Sequence, residues 1–379
     1  MVPLVVLLQL LCCLLLASSS YDYGAPGNGH DGLLMTTLDR FHRWMDLHGR
    51  SYPDADEKLR RFEVYRRNVE YIDSTNRDGR LGYELGENEF TDLTSEEFVA
   101  RYTGGLIAND SAVITTPAGD VNEGYIADGG EDDDPAKLQI TPPNVDWRNK
   151  GAVTPVKNQN PCNSCWAFAA VATVESQHKI RTGELVSLSE QEVLDCDRND
   201  QRGCGGGWAK NALEWIKAKG GVMTEAAYPY VTYQQQYCYS SAAARRVGKI
   251  VAVRQLAAGS EAALTTAVAV QPVAVMIEAK INNYNMQHYR GGIYEGPCTK
   301  EVNHVVTVVG YGRDDVHRTD YWILKNSWGQ KWGDKGFMYL RKGADGRDGL
   351  CGIVKTGGVY PVMHGMSHAL AVLRTLLYN

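Results

Sequence analysis

The feature that most constrains this chain is a cysteine placed where a polar loop gives way to a helix. From Gln159 to Val171 the sequence reads QNPCNSCWAFAAV, and helix-forming residues begin at Cys165. Ser164 comes directly before it and is of a type that caps helix N-termini. The first turn of a helix is positive, because its N–H groups are unpaired and its peptide dipoles align, and this favours a thiolate over a thiol. The stretch therefore predicts a reactive sulfur at the start of a helix.

The two cysteines at positions 162 and 165 have three interpretations when they are taken alone. A catalytic thiol, a redox dithiol and half of a zinc site can each show a C-x-x-C spacing. No second C-x-x-C follows that could complete a set of four ligands, so a metal site is not expected. A catalytic thiol and a redox dithiol both remain open at this point.

The composition fits an acidic, globular protein. The chain has 379 residues, 44% of them apolar, which is enough for a full core and suggests two or three structural units. The net charge of −6 gives no basic surface for nucleic acid, so no nucleic-acid partner is expected.

A predominantly apolar run near the N-terminus indicates export. Residues 4–16 are followed by Ala17 and three serines, a pattern that is too short for a membrane span and typical of a signal peptide. We interpret residues 1–20 as that peptide and expect the secretory pathway, with a vacuole, a lysosome-like compartment or the cell exterior as the destination. No other segment is expected to cross a membrane.

The number of cysteines predicts one free thiol. Loss of the signal peptide removes two of the nine cysteines, and an oxidising compartment then pairs six and leaves one. A thiol enzyme needs such a residue, although an unpaired cysteine can also be buried without a role. The seven that remain are Cys162, Cys165, Cys196, Cys204, Cys238, Cys298 and Cys351.

The chain divides into two regions at about residue 140. Residues 21–140 consist of a helical, charged part at about 33–103 and a linker at about 104–140, which contains an acidic run and an N-glycosylation sequon at Asn109. Residues 141–362 are rich in aromatic residues with glycines spaced between them, a composition typical of a folded domain. The tail, residues 363–379, has no predicted role.

The folded domain is predicted to have a helical half followed by a half rich in strands. The predicted helices are 165–182, 189–195 and 208–219, the first and last of them ended by glycine. The predicted strands, rich in Val, Ile, Tyr or Phe, are 273–278, 305–310, 321–325 and 336–341. This order predicts an α+β architecture in which a groove between the halves takes the substrate.

One predicted helix upstream of the domain carries a stripe at steps of three or four residues. The stripe consists of Glu57, Arg61, Tyr65, Asn68, Ile72 and Asn76. On spacing alone it is more typical of a solvated amphipathic helix than of a binding face. Further along, the alternating Gly86, Asn88, Phe90 and Asp92 predict a strand, and Ser95 predicts the start of another helix.

A thiol that attacks a carbonyl needs a base, and the base needs an orienting neighbour. His304 is favoured because it opens the apolar run Val305 to Val309 and so lies at a strand end beside the groove. Asn326 ends another strand and can accept a hydrogen bond from the imidazole, while Trp328 would cover that bond. The histidines expected to be solvated instead are His178, His288 and His317.

Taken together, these residues resemble the papain-like cysteine proteases, most of all the plant members made as preproenzymes. The likeness spans about residues 35–362 and includes the 139 residues from Cys165 to His304. It implies a papain-like two-lobe fold with a helical left lobe and a β-barrel-like right lobe, preceded by a mainly helical pro-domain.

The resemblance implies a role for each residue of the site. Cys165 would be the nucleophile, His304 the general base and acid, and Asn326 the residue that orients the imidazole. Gln159 would share the oxyanion hole with the backbone N–H of Cys165. The implied reaction is peptide hydrolysis through a thioester acyl-enzyme, with thiolate and imidazolium at rest and without a cofactor. The implied disulfides are Cys162–Cys204, Cys196–Cys238 and Cys298–Cys351, which leave Cys165 free.

The resemblance also changes the interpretation of the upstream stripe. It resembles the family's inhibitory pro-helix motif, with Tyr65 where phenylalanine is usual, and the set from Gly86 to Asp92 resembles the second pro-motif. Residues 21–140 would then block the cleft until they are removed, which we expect at acid pH. The resemblance further implies a monomer that takes protein or peptide substrates and binds cystatin-type inhibitors.

Three positions near the nucleophile depart from the usual pattern. Asn160-Pro161 replaces glycine before the first cysteine, Asn163 replaces glycine between the cysteines, and Gly205 replaces asparagine after Cys204. Asparagine tolerates left-handed backbone angles, so Asn163 can keep the turn. These changes affect the shape of the site beside the scissile bond.

The implied substrate-binding residues are mostly apolar. They are Gly206, Gly207, Trp208, Ala209, Met276, Val302, Val305, Thr356 and Trp328. They predict a preference for apolar residues at the second position before the cleaved bond, and an endopeptidase is favoured over an exopeptidase. The competing functions are an inactive homologue that serves as a storage or binding protein, and a disulfide oxidoreductase.

Overall fold

A computed structural model describes residues 36–104, 141–198, 202–240, 245–279, 284–343 and 346–364. The proposed signal peptide, Asn109, the acidic run and nearly all of the C-terminal tail lie outside these ranges. The chain falls into two units, residues 1–40 and residues 41–379. Within the described residues, no helix has both the length and the apolar character needed to cross a membrane.

Residues 36–104, the described part of the region before the linker, contain three helices and one short strand. Helix α1 is Thr37–His48, α2 is Ala55–Arg77, strand β1 is Tyr83–Leu85 and α3 is Ser95–Tyr102. Helix α3 starts where the sequence predicted. Its N-cap Thr94 and Glu97 form a reciprocal capping box, which satisfies two of the amide groups that a helix start leaves unpaired.

The stretch from Gly86 to Asp92 is a turn, so the predicted strand is wrong. The side chain of Asn88 accepts from the amide of Phe90 at 2.9 Å, and the hydroxyl of Thr91 accepts from the amide of Asn88 at 2.9 Å. Asparagine and threonine side chains that bond to neighbouring backbone groups compete with strand formation. The strand lies just upstream, at β1.

The three predicted helices of the folded domain lie within one residue of their predicted positions. Helix α4 is Cys165–Thr182, α5 is Glu190–Cys196 and α6 is Ala209–Lys219. Gly183 and Gly220 end α4 and α6 in left-handed conformations with φ of 77° and 74°, as glycine does at helix C-termini. The sequence analysis missed α7, Glu261–Val270, and the short α8, Tyr284–Gln287.

The strands of the domain form a sheet around one long central strand. They are β2 Val145–Asp146, β3 Ala252–Gln255, β4 Val273–Ile277, β5 Tyr289–Tyr294, β6 His304–Asp314, β7 Thr319–Lys325, β8 Phe337–Arg341 and β9 Val359–Val362. Over the described residues the order is β1-β5-β8-β7-β6-β4-β9-β3, with β2 also paired to β6. All four predicted strands are present, while β2, β3, β5 and β9 were missed.

Two apolar clusters divide the domain as the α+β prediction requires. One is built mainly from α4, α5 and α6, and the other mainly from the sheet and α7. Residues 165–177 of α4 are all buried, because the helix lies between its helical neighbours and the sheet. The first residue of α4 is thereby fixed in the interior beside the start of β6.

Candidate active site

Cys165 is the first residue of α4 and has no exposed surface. Among the cysteines in the described part of the chain it alone is free. The others form the bonds Cys162–Cys204, Cys196–Cys238 and Cys298–Cys351, the pairs that the resemblance implies. Because Cys162 is bonded to Cys204, the C-x-x-C pair is not a dithiol in this structure.

Ser164 does not cap α4 with its side chain, so this detail of the prediction is wrong. Its φ and ψ of −98° and 15° are not those of an extended cap, and its hydroxyl lies 2.9 Å from the phenol oxygen of Tyr230. The amides of Trp166 and of Cys165 itself therefore remain close to the sulfur and favour the thiolate.

His304 is the first residue of β6 and is fully buried. Its Nε2 lies 2.8 Å from Oδ1 of Asn326, which follows the end of β7. The indole of Trp328 stacks on the imidazole with ring centroids 4.5 Å apart. The other ring nitrogen, Nδ1, is buried and has no hydrogen-bond partner among the described residues. One side of the ring is thus held in place, while the other is left free for a proton transfer.

The start of β6 lies beside the sulfur because α4 packs against this strand. The backbone amide of Val305, the residue after His304, lies within hydrogen-bond reach of Sγ of Cys165. Burial raises the pKa of Cys165 to about 12 and lowers the pKa of His304 to about 4, although the hydrogen bond to Asn326 works against the second shift. Burial in this closed form therefore disfavours the thiolate and the imidazolium that are expected for the working enzyme.

The chain upstream of the linker lies directly on the site. The amide of Gly104 donates to the carbonyl of Asn303 at 2.7 Å. A Cβ at Gly104 would come within 3.2 Å of Sγ of Cys165, so this position suits glycine. The close approach of Gly104 explains why the sulfur is shielded from water.

Gln159 faces a carbonyl of the same upstream segment. Its Nε2 donates to the carbonyl oxygens of Cys162 at 2.9 Å and of Tyr102 at 3.3 Å. Nε1 of Trp328 donates to the same Tyr102 oxygen at 2.9 Å. The hydroxyl of Ser327 donates to Oε1 of Gln159 at 2.6 Å and fixes the side-chain amide. The sequence analysis missed Ser327, although its position directly after Asn326 was a usable signal.

Four of the six residues of the upstream stripe are buried, so the solvated interpretation based on spacing alone is wrong. Arg61 contacts Glu57 at 2.7 Å and Glu97 at 2.8 Å. Asn68 donates to the carbonyls of Thr91 and Leu93 at 2.9 and 3.0 Å. Asn76 exchanges two hydrogen bonds with the backbone of Leu85 in β1, and the phenol of Tyr65 donates to the carboxylate of Glu87. Ile72 is buried in the apolar core. The stripe therefore clamps α2 onto the turn and α3.

The second pro-motif connects that network to the folded domain. Gly86 donates to the carbonyl of His288 at 2.8 Å, and a Cβ there would meet Arg290 at 2.7 Å. Asn88 donates to the carbonyl of Gln287 at 2.8 Å. The ring of Phe90 is buried against Phe98 and Trp328. The carboxylate of Asp92 accepts a hydrogen bond from the phenol of Tyr52 at 2.9 Å.

The implied pocket residues form one group, with two exceptions. Ala209, Met276, Val302 and Val305 are buried in the same apolar cluster, with Trp208 packed against it. Gly206 and Gly207 are buried just before Trp208. Thr356 is not part of that cluster, and Trp328 belongs to the other cluster, beside His304.

The three histidines expected to be solvated differ from one another. His317 is exposed and His178 is half-buried. His288 is completely buried, and neither of its ring nitrogens has a hydrogen-bond partner among the described residues. Burial lowers its pKa to about 3. The prediction for His288 is wrong because the short helix α8 and the turn of the second pro-motif were not anticipated.

The sequence analysis also missed a buried cluster of charged side chains next to the site. Nζ of Lys157 lies 2.7 Å from Glu190 and 3.1 Å from Glu175, and Nζ of Lys325 donates to Thr154 at 2.7 Å. Lys325 directly precedes Asn326 at the end of β7. The cluster therefore connects α4 and α5 to the end of β7, directly before Asn326.

The chain matches two families along its length. Residues 141–362 match the papain family of cysteine proteases, and residues 41–98 match the cathepsin propeptide inhibitor domain I29. In the described part of the chain, no group of His, Cys, Asp and Glu side chains is arranged to hold a metal ion.

Known proteins of similar sequence and structure are proteases. Fruit bromelain of Ananas comosus is 39% identical over 97% of this chain and 96% of its own, and papain of Carica papaya is 40% identical over 90% and 92%. The proform of the Amb a 11 cysteine protease, a major ragweed pollen allergen, superposes with a TM-score of 0.76 at 36% identity, over 89% of this chain and 98% of that one. The chain therefore belongs to the papain family of cysteine proteases and carries the propeptide inhibitor domain of its precursors.

Proposed function

We propose that Cys165 is the nucleophile of this protease, His304 its general base and acid, and Asn326 the residue that orients the imidazole. The observation that carries the proposal is the 2.8 Å contact between Nε2 of His304 and Oδ1 of Asn326, which leaves Nδ1 for the sulfur. A nucleophile, a base and an orienting partner in this order are the parts that acyl transfer requires.

The proposed reaction proceeds in two halves. The thiolate of Cys165 attacks the peptide carbonyl, and Gln159 and the amide of Cys165 donate to the oxyanion. His304 then gives its proton to the departing amine as the carbon–nitrogen bond breaks. In the second half His304 takes a proton from water, which attacks the thioester, and the proton returns to the sulfur as the acid product leaves.

Cys165→Ala provides the direct test. The full-length variant is incubated at pH 4.5 with and without a trace of active wild-type enzyme to remove the pro-segment, and is then assayed on fluorogenic peptides. We expect no turnover above the trace enzyme alone and no labelling by a thiol-alkylating epoxide. Turnover close to that of the wild type would contradict the assignment.

The propeptide domain inhibits the protease within the same chain, and we propose that acid relieves this inhibition. His304 and His288 have pKa values near 4 and 3 in the closed form, against an ordinary value of 6.5. A histidine that becomes solvated on opening binds a proton there below about pH 6.5, so acid favours the open form. Arg61 and the amide of Thr94 hold the pKa of Glu97 below its usual value despite its burial, and protonation of Glu97 weakens the clamp further.

Two carboxyl groups act in the opposite direction. Burial raises the pKa of Glu89 and of Asp92, so their protonation favours the closed form. The histidines respond first as the pH falls, because their ordinary pKa is 6.5 and that of a carboxyl is close to 4. Activation should therefore accelerate between about pH 6.5 and 4, and a precursor that stays uncut at pH 4 to 5 would contradict this proposal.

The finer specificity and the setting are also proposals. We expect endopeptidase action with an apolar residue at the second position before the cleaved bond, because Ala209, Met276, Val302 and Val305 form one apolar group. A peptide library that favours arginine there would contradict this. The sequence supports a signal peptide at 1–20, a pro-segment at 21–140 and a peptidase domain at 141–362. We expect the enzyme to be secreted or vacuolar, to be a monomer and to bind cystatin-type inhibitors.

A further inference from the structure

A row of amide side chains borders the site and contacts the pro-segment. Asn158 donates to the carboxylate of Glu89 at 3.2 Å, and Asn163 donates to the backbone carbonyl of Ala100 at 2.9 Å. Between them, Oδ1 of Asn160 accepts a hydrogen bond from the phenol of Tyr102. These three contacts tie the loop before α4 to the pro-segment.

Asn160 differs from its neighbours because its partner is a side chain. The ring of Tyr102 is 3% exposed and packs against Phe90 and Phe98. Burial raises the pKa of Tyr102 above its usual value, so the phenol keeps its proton and acts as a donor. A phenylalanine of the same shape would leave the acceptor on Asn160 without this bond.

The position of Tyr102 corresponds to one side of the scissile bond. Its carbonyl is held by Gln159 and by the indole of Trp328, and Trp328 stacks on His304. In the proposed mechanism His304 protonates the departing amine, so the amine portion of a substrate lies beside His304 and Trp328. Tyr102 therefore occupies the region that a substrate residue on the amine side of the cleaved bond would occupy.

We propose that Asn160 makes the protease prefer tyrosine over phenylalanine on the amine side of the cleaved bond. Oδ1 of Asn160 accepts from the substrate's phenol as it accepts from Tyr102 in the closed form. Glycine at this position has no side chain to accept that bond. The proposal rests on the proposed roles of Cys165 and His304, which fix which side the amine leaves from.

The test uses acid-activated full-length enzyme and pairs of internally quenched peptides. The members of each pair differ only in tyrosine or phenylalanine at the first or second residue after the cleaved bond. A hydrogen bond to a neutral partner contributes about 0.5–1.5 kcal/mol, so the wild type should favour the tyrosine peptide by roughly 2- to 12-fold in kcat/KM. In Asn160→Gly and Asn160→Ala the ratio should fall to about 1.

Asn163→Gly is the matched control, because it changes a side chain in the same loop that binds a backbone carbonyl. Its kcat/KM can change, but its ratio of tyrosine to phenylalanine should remain that of the wild type. A wild-type ratio of 1, or a ratio kept in both Asn160 variants, overturns the proposal and leaves the protease assignment intact. Cleavage of neither peptide, together with no labelling by the epoxide, overturns both.

The zymogen gives a second measurement, which uses the rate of activation instead of the choice between two peptides. In the full chain, Tyr102→Phe removes the same phenol and should speed activation at pH 5 by a similar factor. In an Asn160→Ala background Tyr102→Phe should have no further effect. Equal acceleration in both backgrounds would show that the phenol acts without Asn160 and would overturn the proposal.

Discussion

Replacing His288 with leucine should stabilise the full chain more in acid than at neutral pH. The imidazole is completely buried and neither ring nitrogen has a partner among the described residues, so burial lowers its pKa from 6.5 to about 3. Below pH 6.5 the unfolded chain binds a proton at His288 and the folded chain does not. The wild type therefore loses stability as the pH falls from 6.5 towards 3.

The size of the effect follows from the two pKa values. Each pH unit below 6.5 and above 3 costs the wild type about 1.4 kcal/mol. At pH 4.5 the accumulated cost is about 3 kcal/mol, and at pH 8 it is close to zero. Packing differences between histidine and leucine change the free energy of unfolding by the same amount at both pH values. The gain of the leucine variant at pH 4.5 should thus exceed its gain at pH 8 by about 3 kcal/mol.

Urea unfolding of full-length protein in a Cys165→Ala background measures this difference without autolysis. His288→Gln serves as the matched control, since glutamine is polar but does not ionise. It should show the same pH-dependent difference as leucine, whatever its absolute stability. Equal gains at pH 4.5 and pH 8 in the leucine variant would refute the claim that a buried, neutral imidazole destabilises the fold in acid.

Three further predictions concern the site and the clamp. Gln159→Ala should lower kcat by roughly 10²- to 10³-fold with an unchanged number of epoxide-reactive thiols, if it donates to the oxyanion. Glu97→Gln should speed activation at pH 6 by roughly 10-fold, because the hydrogen bond that buried Arg61 donates to Glu97 becomes weaker by about 1–1.5 kcal/mol when its acceptor is neutral; an unchanged rate would contradict the clamp. Gly104→Ala should weaken latency, seen as peptide cleavage by uncut precursor, because its Cβ would meet Sγ of Cys165 at 3.2 Å.

Much of the helical half could be predicted from the sequence because its signals are local. Serine caps α5, where Ser189 accepts from the amide of Glu192, and glycines end α4 and α6. These residues act on backbone groups within a few positions, so the sequence indicates them directly. Cys165 was placed at the start of α4 on a similar local signal, although the side chain of Ser164 makes no capping hydrogen bond there.

The missed strands depend on partners far away in the chain. Strand β5 contains Gly291 and Gly292, which weaken any strand pattern, and it is paired to β1 on one side and β8 on the other. Strand β9 contains Pro361 yet lies between β4 and β3. Strand propensity depends on the neighbours a strand receives, and these are not visible in the local sequence.

The residues of the proposed site could be chosen from the sequence, but their charge state could not. Cys165, His304 and Asn326 were selected by residue type and position, and Gln159 from the resemblance; in the structure Cys165 begins α4, His304 begins β6 and Asn326 follows β7. In the closed form burial disfavours the charged thiolate and imidazolium, and the segment around Gly104 contributes to that burial. That effect requires knowledge of where the pro-segment lies.

The pH dependence of thiol alkylation tests the pairing of Cys165 with His304 most directly, in enzymes from which a trace of active wild type has removed the pro-segment at pH 4.5. For papain, a member of this family, the thiolate persists down to about pH 4, against about 8.5 for a free cysteine. The wild type should therefore react rapidly at pH 5 to 6, and His304→Ala should react there at least roughly 100-fold more slowly, because only a small fraction of an ordinary thiol is ionised. Identical pH profiles in the two enzymes would contradict the view that an imidazole holds this sulfur ionised.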